Sequence, residues 1–222
     1  MNHAQALAVF EAADLYVVIT TAFCAGRAAL AVLEKALAAG VRLVQMREKD
    51  LGGRALYELA REFRQRTGAV GALLIIDDRL DIALASGADG VHLGQEDLPV
   101  GAARLMAPEL IIGASTHSLE EALAAEAAGA SYVNLGPIFA TPTKPEAKPL
   151  GAEALGRIAP HLKIPWTTMG GINQANIGQV VARGARHPAV MSAVTAAADP
   201  RTAALELRQA ILSGGERPVQ PH

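Results

Sequence analysis

The sequence predicts a single (βα)8 barrel, an α/β TIM barrel in which eight parallel strands alternate with helices. Three observations point to it. Eight short apolar runs alternate with Ala-rich segments of helical character, and strand-then-helix repetition is the pattern of a parallel sheet covered by helices. A glycine follows the helical segment shortly before the next strand at Gly40, Gly87, Gly129 and Gly184, where left-handed backbone commonly ends a helix. Eight such units in 222 residues suit a closed barrel better than an open doubly wound sheet.

In chain order, residues 1–14 read as an N-terminal arm, helical or loose. Strands are expected over 15–20, 41–46, 73–76, 90–93, 111–114, 132–135, 165–168 and 189–191. Helices are expected over 28–39, 53–66, 80–85, 100–106, 119–128, 152–159, 175–182 and 200–212. The barrel then occupies 15–212, and the Gly- and Pro-rich stretch 213–222 reads as a disordered tail. No linker or shift in composition divides the chain.

Composition narrows the function. Half the residues are apolar and only 4% are aromatic, which suits helices packed on aliphatic strands. A net charge of −2 gives no electrostatic footprint for nucleic acid or an anionic membrane. The lone cysteine, Cys24, excludes a disulfide framework and a thiolate metal cage. No run reaches the roughly 18 apolar residues of a membrane span, so the expectation is a cytoplasmic protein.

In this fold chemistry belongs to the loops after the strands. The stretch from Ile76 to Pro99 organises them: two neighbouring strands end in Asp77-Asp78 and in Gln95-Glu96-Asp97. Adjacent parallel strands would bring Asp78 and Asp97 together on one rim, the oxygen donors that Mg²⁺ takes alongside water and substrate phosphates. Capping and salt bridging are the plainer roles for such carboxylates, and Asp81 and Asp89 are assigned to them.

After strand 2, alternation turns Gln45, Arg47 and Lys49 to one side. That is either a diphosphate cradle or a solvated charged loop. After strand 5, Ser115 can donate to a ligand. Ser118 can cap the next helix with Glu121 completing a capping box. His117 is either an acid/base group or a rim histidine held by hydrogen bonds. The long loop 136–149 reads as a lid or binding loop, with Thr141, Thr143 and Lys144 available to an anion. Gly170-Gly171 and Met191-Ser192 stand after strands 7 and 8, where this fold places phosphate; a tight turn is the plainer reading of the glycine pair. Together these residues describe two anion sites on one rim, one for a diphosphate and one for a monophosphate, with no strong nucleophile beside a base. An enzyme joining two phosphorylated small molecules with loss of diphosphate fits that inventory.

The motifs QMREKD, DDRLDIALASGADGVHLGQEDLP, GASTHSLEEA, GPIFATPTK and MGGIN…VMSAV closely resemble the thiamine-phosphate synthase (thiamine-phosphate pyrophosphorylase) family, in order and spacing, over residues 15–194. The resemblance implies a (βα)8 barrel, Mg²⁺, and coupling of 4-amino-5-hydroxymethyl-2-methylpyrimidine diphosphate to thiazole phosphate by a dissociative substitution. It assigns Gln45, Met46, Arg47, Glu48, Lys49, Asp77, Ser115 and Lys144 to the pyrimidine diphosphate. Asp78 and Asp97 go to Mg²⁺, and Thr141, Pro142, Thr143, Gly171, Met191 and Ser192 to the thiazole phosphate. Arg47, Lys49, Ser115 and Lys144 become the catalytic set.

Two departures stand out. The family usually has Asn where this chain has Asp77, which places an anion where an amide would face diphosphate. The segment 184–189 also differs from the usual Gly-Ala-Asp-Gly. A thiazole tautomerase relative shares the barrel and a histidine at the position of His117 but generally lacks the metal and lid motifs kept here. A non-catalytic thiamine-precursor binder is the reading from another class, motivated by Asp77.

Overall fold

The structure, a computed structural model, describes residues 1–141 and 146–215. Strands β1 (Tyr16–Ile19), β2 (Leu43–Met46), β3 (Leu73–Asp77), β4 (Gly90–Leu93), β5 (Ile111–Thr116), β6 (Tyr132–Leu135), β7 (Trp166–Thr168) and β8 (Ala189–Val190) form one parallel sheet in the order β7-β6-β5-β4-β3-β2-β1-β8. A parallel bridge between Thr168 and Pro188 brings β7 to the start of β8, so the sheet nearly closes. This is the TIM-barrel-like fold that the alternation predicts.

Period-two alternation divides the strand residues between two cores. Outward residues such as Val17, Val44, Leu74, Val91, Ile112 and Val133 pack under the helices. Inward residues Tyr16, Leu43, Leu73, Ile75, Ile111, Tyr132 and Ala189 fill the lower lumen. Burial on both faces is why the strands read as continuous apolar runs.

The helices are α1 (His3–Ala12), α2 (Ala29–Ala38), α3 (Gly53–Ala69), α4 (Leu80–Ser86), α5 (Val100–Met106), α6 (Leu119–Ala127), α7 (Glu153–Ile158), α8 (Ile177–Val181), α9 (Ser192–Thr195) and α10 (Pro200–Gly215). Ala36, Ala60, Ala83, Ala103 and Ala122 are fully buried, so the Ala-rich faces let helices approach the sheet closely. Gly87 ends α4 in the left-handed conformation with φ 69°, and Gly40, Gly129 and Gly184 also have positive φ, as the repeated junction requires.

At the N-terminus the structure shows which of the two expected forms the arm takes, and at the C-terminus it departs from the sequence reading. The arm is an ordered helix: Asn2 and Gln5 form a reciprocal capping box, and α1 lays Ala6 and Phe10 across the bottom of the lumen. The Phe10 ring centroid lies 4.6 Å from that of Tyr132 and 5.3 Å from that of His187. At the other end α10 continues through Ser213, Gly214 and Gly215, residues assigned above to a disordered tail. Residues 216–222 of that tail lie outside the described residues. Among the described residues, no helix is long and apolar enough to cross a membrane.

Candidate active site

The C-terminal rim surrounds a cavity of about 810 Å³, within the usual range for small-molecule sites. Its first wall is the extension of β2. Gln45, Arg47 and Lys49 line the cavity, as alternation requires. Met46 is buried in the outer core, and the Glu48 carboxylate accepts the Thr21 N–H at 2.7 Å and the Thr21 hydroxyl at 2.6 Å. The side chains of Met46 and Glu48 therefore face away from the cavity and fix the neighbouring loop. From there only their backbone could serve the ligand role that the resemblance gives them.

The second wall carries three carboxylates. Pairing of β3 with β4 sets Asp77 opposite His92, and the Asp78 N–H donates to the His92 carbonyl at 2.8 Å. Asp78 is held at φ 59°, a left-handed backbone that Asp tolerates better than most residues. Asp97 curls back so that the Gly94 N–H donates to its Oδ2 at 2.7 Å. A side chain at Gly94 would put a Cβ 2.9 Å from that same oxygen, so the Asp97 carboxylate would have to shift to make room.

These acids and the cations of the first wall face each other. Lys49 Nζ lies 3.0 Å from Asp77 Oδ2 and also bonds Asp78 Oδ2, while Arg47 Nε stands 3.5 Å from Asp77. Burial raises the Asp77 carboxyl above the ordinary range, with Lys49 and Arg47 opposing. Burial lowers the Lys49 ammonium, but the pull of Asp77 and Asp78 carries it above its usual value. Burial, and then Asp78 within hydrogen-bonding reach, raises Asp97. The two rim carboxylates Asp78 and Asp97 are thus neighbours. Asp81 and Asp89 serve other ends: Asp81 pairs with Arg79, and Asp89 accepts the Leu74 N–H and pairs with Arg64.

Beneath the rim runs a buried chain of hydrogen bonds absent from the sequence reading. The Gln45 amide donates to the Tyr16 hydroxyl at 2.9 Å. Tyr16 and Tyr132 hydroxyls are 3.0 Å apart. His92 Nδ1 is 2.9 Å from the Tyr132 hydroxyl, and His92 Nε2 is 2.8 Å from Ser115 Oγ. Burial raises both phenols far above their ordinary value, so they remain neutral O–H groups. Since Tyr16 accepts from Gln45, its own proton goes to Tyr132. Tyr132 in turn donates to His92 Nδ1, and the Nε2–H goes to Ser115. Two consequences reach the cavity: the Ser115 hydroxyl is left to donate outward, and Gln45 Oε1 is left to accept. The Ser115–His92 pair corrects the reading that no nucleophile stands beside a base, but the polarity of the chain points the histidine proton at the serine, the reverse of what a general base needs.

The opposite wall belongs to β6, β7 and β8. Gly170 and Gly171 have φ 103° and 63°, and a Cβ at either would overlap residues 137–140 of the β6 loop. That loop is tied down by Ile138 N–H to the Met169 carbonyl at 2.8 Å and Phe139 N–H to the Gly170 carbonyl at 3.0 Å. The glycine pair thus serves a close loop-on-loop contact as well as lining the cavity. Met191 and Ser192, at the start of the single-turn α9, and Thr141 also line it. Pro142, Thr143 and Lys144 lie outside the described residues.

His117 lines the cavity mouth with Nδ1 3.0 Å from Glu121 Oε2. Ser118 caps α6 by accepting the Glu121 N–H at 3.1 Å. The capping box differs from the expected one, because the Glu121 carboxylate accepts the N–H of His117 rather than that of Ser118. Asn134 and Asn173 are further lining residues that sequence reasoning missed. A polar residue at an inward position of an apolar strand, His92 in GVHL or Asn134 in YVNL, is the signal that could have found the lumen set. Among the described residues, no three His, Cys, Asp or Glu side chains converge as a ready metal cage.

A sequence profile for the family described as thiamine monophosphate synthase matches residues 15–194. A thiamine-phosphate synthase from Moorella thermoacetica is 49% identical over 200 residues, covering 89% of this chain and 95% of its own length. One from Chloroflexus aurantiacus is 48% identical over 195 residues, covering 87% and 90%. Among solved structures, a thiamine phosphate pyrophosphorylase from Pyrococcus furiosus superposes with a TM-score of 0.86 at 42% identity, over 91% of this chain and 96% of its own.

Proposed function

The chain belongs to the thiamine monophosphate synthase family, and we propose that it is a Mg²⁺-dependent transferase joining 4-amino-5-hydroxymethyl-2-methylpyrimidine diphosphate to thiazole phosphate, with thiamine phosphate and diphosphate as products. One observation carries the reading. The cations Arg47 and Lys49 and the carboxylates Asp77, Asp78 and Asp97 share one cavity with Gln45, Ser115, Met191 and Ser192, which supports reading that single volume as able to take a diphosphate and a monophosphate together.

Mg²⁺ is characteristically held by one or two carboxylates and completed by phosphates and water. The adjacent carboxylates Asp78 and Asp97 fit that donor set and would hold the ion. When bound, it would neutralise charge on the diphosphate. In the reaction the carbon–oxygen bond to the diphosphate breaks with its electron pair leaving on oxygen, and the thiazole nitrogen lone pair forms the new carbon–nitrogen bond. Arg47 and Lys49 donate to the leaving oxygens, and their interaction strengthens as charge accumulates there. Gln45 Oε1 accepts from the pyrimidine amine, favouring electron release toward the reacting methylene, and the Ser115 hydroxyl donates to the ring or the diphosphate. The Met191-Ser192 wall seats the thiazole phosphate and aims its nitrogen. No protein nucleophile is required.

The test incubates both substrates with Mg²⁺ and repeats the reaction with excess EDTA. Thiamine phosphate that disappears with the chelator supports the proposal. Thiamine phosphate formed equally in EDTA removes the metal, and isomerised thiazole as the sole product replaces the coupling reaction with a proton transfer.

A further inference from the structure

We infer that Lys49 is a stand-in cation: its ammonium occupies the carboxylate wall of the free protein, and it must leave Asp78 before a divalent ion can bind there. The inference rests on the metal reading above. Lys49 Nζ is held between Asp77 Oδ2, at 3.0 Å, and Asp78 Oδ2, and Asp78 is one of the two neighbours assigned to the metal. Arg47 differs, since its contact in the wall is Asp77 at 3.5 Å.

One ammonium cannot fully serve the carboxylates and the diphosphate at once. A divalent ion at Asp78 and Asp97 competes with Lys49 for Asp78. The displaced ammonium, on a flexible four-carbon stem and half-exposed, swings toward the cavity, where a diphosphate would be. A diphosphate arriving first draws Lys49 away and bares Asp78 for the ion. Each ligand thereby prepares the site of the other, and the coupling is reciprocal. Asp77 keeps the exchange local: buried beside Arg47 and Lys49, it remains a partner for the lysine when Asp78 is taken.

The experiment measures Mn²⁺ binding by calorimetry, with and without inorganic diphosphate, on the whole chain and on Lys49→Met and Arg47→Met, folding being checked by circular dichroism. With the stand-in removed, Lys49→Met binds Mn²⁺ alone about tenfold more tightly than the parent, the gain expected if roughly one molecule in ten otherwise has the site open. Arg47→Met gains far less, and the enhancement of Mn²⁺ binding by diphosphate shrinks in Lys49→Met. Unchanged or weaker Mn²⁺ binding by Lys49→Met, or an equal gain in Arg47→Met, overturns this inference and leaves the metal reading standing. Absence of Mn²⁺ binding by the parent even with diphosphate overturns both.

Discussion

The Tyr132 hydroxyl lies 2.9 Å from His92 Nδ1, deep in the barrel. Through it Gln45 and Ser115, on strands far apart in the chain, have fixed hydrogen-bonding roles at the cavity. Replacing Tyr132 with Phe keeps the ring but leaves Tyr16 and His92 short of a partner, at a cost of roughly 1–3 kcal/mol. It also frees His92 to change tautomer. The expected outcome is a lower melting temperature together with a fall in kcat/KM for the pyrimidine diphosphate, read by thermal denaturation and steady-state kinetics.

Arg47 is expected to act on the departing charge. Arg47→Ala should lower kcat about 10²–10³-fold, the usual cost of losing one preorganised donor to a transition-state anion. Arg47→Lys should recover only part of this, since the ammonium lacks the forked geometry. Comparison of kcat with thiazole KM locates the loss on the pyrimidine side.

Asp77 lines the cavity beside Arg47 and Lys49, a carboxylate where the proposed diphosphate would lie. Asp77→Asn should lower KM for the pyrimidine diphosphate by up to about tenfold, equivalent to ~1.4 kcal/mol. A rise in KM would instead make Asp77 a contributor to the bound metal.

His187 ties the barrel floor to the arm. Its Nδ1–H donates to the Ala13 carbonyl at 2.7 Å, and burial lowers its pKa below the ordinary 6.5. The unfolded chain takes up a proton near that ordinary value while the folded chain does not. Stability from this group is therefore full above pH 6.5 and declines as the pH falls from there toward the lowered folded value. His187→Gln should flatten the melting temperature over that window. Phe10→Ala, which empties the floor beneath Tyr132, should cost about 3–5 kcal/mol.

The barrel was legible because its signal is local. Apolar runs buried on both faces located all eight strands within a few residues, and a glycine marked the junction before four of them. The single-turn α9 was missed because four residues carry no periodicity. The arm was left undecided because what orders Phe10 is contact with Tyr132 and His187, far along the chain. Alternation also separated Arg47 and Lys49 from Met46 and Glu48, which the resemblance alone did not. The Tyr16–Tyr132–His92–Ser115 chain was invisible for a physical reason: its partners lie 116, 40 and 23 residues apart, and only closure of the sheet brings them together.

The most direct test of the account is a crystal grown with Mn²⁺ and inorganic diphosphate, read by anomalous scattering. The account predicts a manganese peak bound by Asp78 and Asp97, with diphosphate oxygens completing its shell and facing Arg47 and Lys49. A peak away from these carboxylates, or a diphosphate seated against Met191 and Ser192 without metal, would contradict it.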